Sequence, residues 1–588
     1  MESVPDTEGR PQTTRGAQYR VSSKPLGTYR PIRVVCIGAG CSGILMSIIA
    51  SQRMLSRNVD FQCYEMNVDL GGTWLVNRYP GCRCDTPAHI YSYSFCPNPQ
   101  WTNVFAKPPE IHQYLKDTAQ KYGCEKLISY GKRVDSAVWN NEAGRWKLKL
   151  TDLNNQEAFE DECHVLINAT GILNKPKWPN IKGIEQYRGK LVHSAEWDAT
   201  YDFADKRVVV IGIGSSAIQL LPEITKSASH ATLFARSSAW ITTLLMPKVG
   251  HGSRQGQELV DDDLNYLPEV RSRFATDPEY LRLHRKELAD GRSESFKALS
   301  SGLSHEEELK ASYGKSMLDR LGDSAKAKFI AKHLIPSFPV GCRRITPGPG
   351  FIETLMHQNE NGIHAENDEQ SREADAIICA TGFDYSYVPR FSLLGRDGAD
   401  IAQQWRDGPP ESYFGTTVTG FPNYFMFIGP NSPVANGGLM QAIQAQGVYI
   451  FKCINKLQSQ GIRSIEVRQD AMDDYNTHSQ AYLRGSVWSG SCSSWYKRGT
   501  EDGRIVATYA GSAHHFAEMM RSPRWEDYDY EYEIEDDCNE GATSHPNRFS
   551  FLGNGLTRRE ELGNSIGATQ TLDFGEFWDI MEIPSIYE

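Results

Sequence analysis

Short β-branched runs alternate along the chain with segments whose apolar residues recur at helical spacing. The folded part is expected to start near Tyr29: VVCIG reads as a strand, a helix follows to about Met54, FQCYE is the next strand and CHVLINATG a later one. This is the alternation of a parallel sheet with crossover helices. KRVVVIGIGSSAIQLLPEI makes a second such start, with Gly212 lying 174 residues after Gly38, which predicts two α/β domains rather than a tandem repeat. From about Gly250 to Pro336 the strand signal fades into charged amphipathic helix, expected as an insertion in the second domain. ADAIICATGF (Ala374 to Phe383) and NYFMFIG (Asn423 to Gly429) resume strand character, and a long helix runs from about Leu439 to Leu457. The expected division is a polar arm over 1–30, a first domain over 31–175 completed by 351–523, a second domain over 176–350 with an insertion at about 250–336, and an acidic, polar extension over 524–588.

Charge narrows the partners. The 588 residues carry 62 Lys and Arg against 73 Asp and Glu, a formal charge of −11, so broad binding to nucleic-acid phosphates is not expected. Nine of the carboxylates fall between Glu526 and Glu540, and without them the chain is near −2. The polar N-terminal sequence lacks the apolar stretch of a secretory signal. The longest apolar stretch, Val34 to Ala50, contains three glycines with a better explanation than a membrane span. Thirteen cysteines without framework spacing suit a reducing compartment, and a cytoplasmic protein is expected. Cys82 and Cys84 flank Arg83 too closely for an unstrained bridge, and no nearby cluster completes a metal site.

Gly38-Ala39-Gly40-Cys41-Ser42-Gly43 follows a strand and opens a helix. Gly38 suits a tight turn, Gly40 close approach of a pyrophosphate, and Gly43 helix-on-strand packing, with the helix N–H groups offered to the phosphates. Glu65 closes the next strand, where a carboxylate can accept from both ribose hydroxyls. Gly212-Ile213-Gly214-Ser215-Ser216-Ala217 repeats the device, but the strand after it ends in Arg236, which would pair with a 2′-phosphate that an acid would repel. The first turn is therefore expected to hold FAD and the second NADPH. NATG (Asn168 to Gly171) and CATGF (Cys379 to Phe383) end apolar runs as crossings between two nucleotide domains do. Cys36 and Cys41 have the spacing of a redox pair, but a bridge there would distort the phosphate turn, so both are expected to be plain thiols.

Tyr187-x-Gly189-x-x-x-His193-x-x-x-Trp197-Asp198 lies just before the second glycine turn and resembles the FxGxxxHxxxW(P/D) fingerprint of Baeyer–Villiger monooxygenases, with Tyr for Phe. The resemblance covers about Arg33 to Asp527. It implies an α/β fold of two Rossmann-like domains, for FAD and for NADPH, with the helical insertion in the NADPH domain. GGTWLVNRYPGCRCDTPAHIYSYSF resembles the stretch lying by the flavin, which implies cofactor roles for Thr73 and Trp74 and puts Asp85 beside the flavin. FPVGCRRITPGPGFIETL resembles the segment bearing the active-site arginine, by position Arg344, with Arg343 helping to hold the NADP phosphate. The TPGPG run departs from the family there, which usually has an Asp. Ser494-Trp495-Tyr496 matches a loop whose Trp closes over the nicotinamide. Several stretches resemble filamentous-fungal members acting in polyketide and terpenoid pathways.

By this resemblance NADPH reduces FAD, O2 adds to the flavin, and the resulting anion attacks a ketone to give an ester or lactone. A fixed guanidinium, Arg344, suits the developing negative charge, and Asp85 suits the task of positioning it. His193 is expected as a linker residue coupling domain position to cofactor state. Heteroatom hydroxylation is disfavoured by Trp197, and disulfide reduction by the missing redox pair after the ribose acid.

Overall fold

The computed structural model describes residues 21–242, 259–300, 306–356, 363–364, 373–434, 438–533 and 548–558. The expected arm up to residue 20, part of the insertion, the acidic run from 534 to 540 and the tail after 558 lie outside them.

Two parallel sheets carry the two glycine turns. In the first, β1 (Ile32–Ile37) is flanked by β2 (Val59–Tyr64), which leads to β3 (Ile128–Ser129), and on its other side by β4 (Val165–Asn168). In the second, β5 (Lys190–His193) is an edge, and β6 (Arg207–Ile211) pairs with β7 (His230–Phe234), which leads to β8 (Ile363–His364). β9 (Ala376–Cys379) lies between β5 and β6, and β10 (Tyr424–Met426) returns to the first sheet beside β4. Strand β1, with Val34, Val35 and Cys36 fully buried, shows why the run is uniformly apolar: both faces of this central parallel strand are covered.

The boundary expected at residue 350 is therefore corrected. Ala376–Cys379 belongs to the second sheet, and the chain re-enters the first domain only after Phe383. An apolar run declares that it is a buried strand, not which sheet receives it.

The insertion is also shared. Met317, Leu321, Ala327, Ile330 and Leu334 of the helices Glu306–Leu321 and Ala325–Leu334 join the second core, as expected. Val270, Phe274, Tyr280 and Leu281, from Pro268–Thr276 and Pro278–Ser300, instead join the first. Arg285 on the longer helix donates to the His89 carbonyl at 2.9 Å. The first two long helices of the described insertion thus lie on the first domain.

An antiparallel layer flanks the first sheet: Lys132–Asn140, Arg145–Asp152 and Glu157–Cys163. In RWKLKLTD the buried Trp146, Leu148 and Leu150 alternate with exposed Arg145, Lys147 and Lys149, the period of a half-buried strand. The extension expected to begin at 524 starts as part of the fold. Tyr528–Tyr532 pairs antiparallel with Ile462–Val467, Glu531 meets Arg396 at 2.9 Å, and Glu533 meets Arg30 at 2.5 Å. Among the described residues no helix is long and apolar enough to cross a membrane, and no cluster of His, Cys, Asp and Glu could hold a metal.

Candidate active site

Both glycine turns are built the same way. Gly38 has φ +100° and Gly212 φ +119°, conformations that L side chains rarely adopt. A Cβ on Gly38 would stand 2.8 Å from the Ala169 carbonyl, and one on Gly212 2.4 Å from that of Ala380. The NATG and CATGF stretches are thus the floors of the two turns. They also run together as the crossings: Pro176 bridges Phe383, and the Lys177 N–H donates to the Gly382 carbonyl at 2.9 Å.

The helices behind the turns, Cys41–Ile49 and Ser215–Ile224, start at Gly40 and Gly214 with no side chain capping them. Their first N–H groups are left for an anion. A Cβ on Gly40 would fill the space toward Gly72, whose Cα is 3.7 Å off, and one on Gly43 would collide with the Gly38 carbonyl at 1.8 Å. Glu65 is 4% exposed and accepts from the Ala39 N–H at 2.6 Å and the Asn67 N–H at 2.8 Å, which fixes its carboxylate at the turn. Ser215 shares a hydrogen bond with Thr346 at 3.0 Å, and Ser216 lies next along the same first turn of helix. Thr73 opens the short helix Thr73–Val76 after Gly72, and Trp74 in it donates to the Tyr91 hydroxyl at 3.0 Å.

Past β7, Arg236 is exposed, and Arg343 donates to the Ser237 hydroxyl at 2.7 Å and the Ser238 carbonyl at 3.1 Å. Burial lowers the Arg343 pKa, and Arg236 lowers it further, so two guanidinium groups converge here. Such a pair fits a phosphate dianion.

Arg344 faces the other way. Its Nε and Nη2 donate to Asp85 Oδ2 and Oδ1 at 2.6 and 2.7 Å, a bidentate pair with side chains 30% and 16% exposed. Burial works to raise the Asp85 pKa, but the Arg344 charge and hydrogen bonds outweigh it, with Arg292 of the insertion adding to them, so Asp85 is held below the ordinary carboxylate range. Burial works to lower the pKa of Arg344, but Asp85 raises it above the usual value. Tyr496 is buried, which raises its pKa, and the Arg344 charge nearby works against that rise. Trp495 is half-buried, with ring centroids 5.9 Å from Tyr385 and 4.7 Å from Tyr496.

The fingerprint residues gather elsewhere. The Tyr187 hydroxyl donates to the Ala374 carbonyl at 3.0 Å, and a Cβ on Gly189 would lie 2.8 Å from the Asp375 carbonyl. His193 is fully buried and accepts from the Ala195 N–H at 3.1 Å; its ring lies 5.4 Å from Trp178 and 6.3 Å from Phe383, where the two crossings run. Burial lowers its pKa. Trp197 stacks on Phe203 at 5.1 Å, and Asp198 takes an ion pair from Lys190. These residues brace β5 and the crossings, and among the described residues none of them hydrogen-bonds Asp85 or Arg344.

Sequence reasoning missed Gln219, Arg292 and the full part played by Tyr496. Gln219 accepts from the Tyr79 hydroxyl at 2.8 Å and donates to the Arg83 carbonyl at 3.0 Å, tying the loop that ends in Asp85 to the helix of the second turn. Its signal was its place one helical turn after Ser215. Arg292, in a charged helix, gave none. The cysteines were read well except at one place: Cys36, Cys41, Cys82 and Cys84 are free thiols, but Cys342 and Cys492 form a disulfide.

The glycine-turn domains and the guanidinium site between them define a dinucleotide-dependent oxidoreductase. A model of the flavin-binding monooxygenase-like family matches residues 31–251. The FAD-binding monooxygenase tazF of Aspergillus terreus is 36% identical over 92% of this chain and 95% of its own length. A Baeyer-Villiger monooxygenase of Pseudomonas aeruginosa is 31% identical, covering 87% and 94%. The closed crystal structure of cyclohexanone monooxygenase shares the fold, with a TM-score of 0.70 over 86% of this chain and all of that one, at 22% identity. The chain belongs to the flavin-binding monooxygenase-like family, among its FAD-binding and Baeyer-Villiger monooxygenases. It is a flavoprotein monooxygenase.

Proposed function

We propose that this chain is an FAD- and NADPH-dependent Baeyer–Villiger monooxygenase that inserts one oxygen atom from O2 beside a ketone carbonyl, giving an ester or lactone. The observation that carries the reading is the bidentate Asp85–Arg344 pair, set where the loop from the first domain meets the second.

The first turn fits FAD: the uncapped helix behind Gly38, Gly40 and Gly43 takes the pyrophosphate, Glu65 the ribose, and Thr73 and Trp74 the chain beyond. Gly212, Gly214, Ser215 and Ser216 take the NADPH pyrophosphate, and Arg236 with Arg343 its 2′-phosphate. When bound, the two cofactors supply the electrons and activate O2. Asp85 stays ionised and holds the planar guanidinium of Arg344 in one orientation. Arg344, always cationic, then stabilises negative charge that develops on oxygen as the carbonyl is attacked. Trp495 and Tyr496 cover this charge and keep water from it. Gln219 keeps the Asp85 loop in register with the NADPH helix, and His193 and Trp197 keep the crossings in place.

On the insertion side, Ile90, Ala289, Arg292, Phe296, Gln441 and His514 line a cavity of mixed wall and about 40 Å³, too small as it stands to seat a polycyclic ketone. Relatives such as tazF are fungal, which supports a polyketide or terpenoid intermediate of secondary metabolism as substrate, met in the cytoplasm. The test is incubation of the FAD-loaded protein with NADPH, O2 and a panel of cyclic and polycyclic ketones. A product heavier by one oxygen, identified as ester or lactone, is expected. Conversion of amines or sulfides with every ketone untouched would contradict the reading.

A further inference from the structure

The disulfide joins two segments that the proposed chemistry uses. Cys342 immediately precedes Arg343 and Arg344, and Cys492 lies three residues before Trp495. The Cα atoms are 6.4 Å apart across 150 residues of sequence. Otherwise the two segments meet through small contacts: a Cβ on Gly490 would stand 2.7 Å from Pro339, and one on Gly341 3.3 Å from Val487. The buried Lys497 is solvated by the carbonyls of Gly490, at 2.5 Å, and Glu501, and its Nζ is 4.0 Å from the Cys342 sulfur. Both cysteines are buried, but Ser491 and Ser493 beside Cys492 are exposed, so a single layer separates the bridge from solvent.

We propose that Cys342 and Cys492 form a reversible thiol–disulfide site that clamps the Trp495–Tyr496 loop onto the arginine segment. A small thiolate attacks the Cys492 sulfur; the S–S bond breaks, and its electron pair leaves on Cys342 as a thiolate facing the Lys497 ammonium. A second thiol resolves the mixed disulfide, giving two protein thiols and one small-molecule disulfide. A positive charge beside the leaving sulfur favours the thiolate and so the exchange. The reverse oxidant is hydrogen peroxide: the Cys342 thiolate attacks one peroxide oxygen, the O–O bond breaks, and the hydroxide that leaves takes up a proton from solvent, giving a sulfenic acid and water; the Cys492 thiol then attacks that sulfur and displaces a second water as the S–S bond forms. The enzyme itself supplies that oxidant whenever NADPH and O2 react without oxygenating substrate, so leakage would reclose the clamp.

The inference rests on the proposed function only for the consequence of opening, so two readouts are independent of turnover. Alkylation of denatured protein followed by peptide mass spectrometry should show the Cys342–Cys492 cross-link after hydrogen peroxide treatment. Reduced glutathione should free these two thiols. Trypsin cleavage after Lys497 or Arg498 should be at least about threefold faster in the reduced protein, as expected when a loop loses its tether. Hydrogen peroxide release per NADPH in the presence of ketone should rise by about twofold or more. Cys492→Ser and Cys342→Ser should each reproduce the reduced behaviour and no longer respond to glutathione. No cross-link after peroxide treatment would overturn the proposal, and so would a removable cross-link whose loss changes neither proteolysis nor peroxide release. Failure to oxygenate any ketone with the cross-link and proteolysis as expected would instead overturn the ketone reading.

Discussion

Asp85 and Arg344 each have the other as principal partner, so a change at one is read at the other. Hydrogen bonds to charged groups contribute about 1.5–3 kcal/mol, and Asp85→Asn keeps the shape while removing the charge, so a stability loss of that size is expected. Because the folded pKa of Asp85 lies below its unfolded value, the pair's contribution is complete above about pH 5 and is lost as the pH falls through the depressed value. The thermal midpoints of wild type and Asp85→Asn should differ by a constant amount from pH 5 to 8 and converge in stronger acid; a difference that fades near neutrality would show that the pair is not ionised as described. Arg236 is exposed, so the 2′-phosphate contact proposed for it is discounted by solvent. Arg236→Ala should weaken use of NADPH by roughly tenfold and leave NADH nearly unchanged, measured as kcat/KM for each nucleotide. Glu65, an acid closing one strand, and Arg236, an arginine closing its counterpart, could be singled out from type and register alone. Arg292 and Gln219 could not, because Arg292 comes from a helix packed on the first domain and Gln219 reaches the Arg83 carbonyl from the helix of the second turn.

The glycine turns could be read from local pattern alone, since strand, turn and helix are contiguous in sequence. What the pattern lacked was pairing: β9 carries the same apolar signal as β10, but its register sets it against β5 and β6. The layer from Lys132 to Cys163 displays its alternation openly, but alternation alone names neither the partner strands nor the sheet they flank. Gly212→Ala is the informative change at this scale. Its φ of +119° and the 2.4 Å approach to the Ala380 carbonyl predict a cost of about 2 kcal/mol or more, confined to the second domain. The variant should keep flavin absorbance after desalting and lose flavin reduction by NADPH; loss of flavin together with nucleotide use would show that the two turns are not independent.

Across the whole molecule, the insertion, the helix of the second turn and the 79–85 loop converge on one place. The insertion brings Arg292 from one side, Gln219 holds the loop from another, and the 342–344 and 492–496 segments close the third. The acidic run, expected as a wrapped extension, is in its described part a paired strand held by Arg30 and Arg396. Chain order announces none of this convergence, because every contact in it joins residues far apart in sequence. The most direct measurement follows isotopically heavy O2 into product with wild-type and Arg344→Ala proteins, both loaded with FAD and supplied with NADPH and an accepted ketone. Wild type should place one heavy oxygen in the new ester linkage and leave the carbonyl oxygen light. Arg344→Ala should bind flavin, consume NADPH at a reduced rate, form hydrogen peroxide, and give no labelled ester. A folded, flavin-loaded Arg344→Ala protein that makes the labelled ester at the wild-type rate would contradict the account.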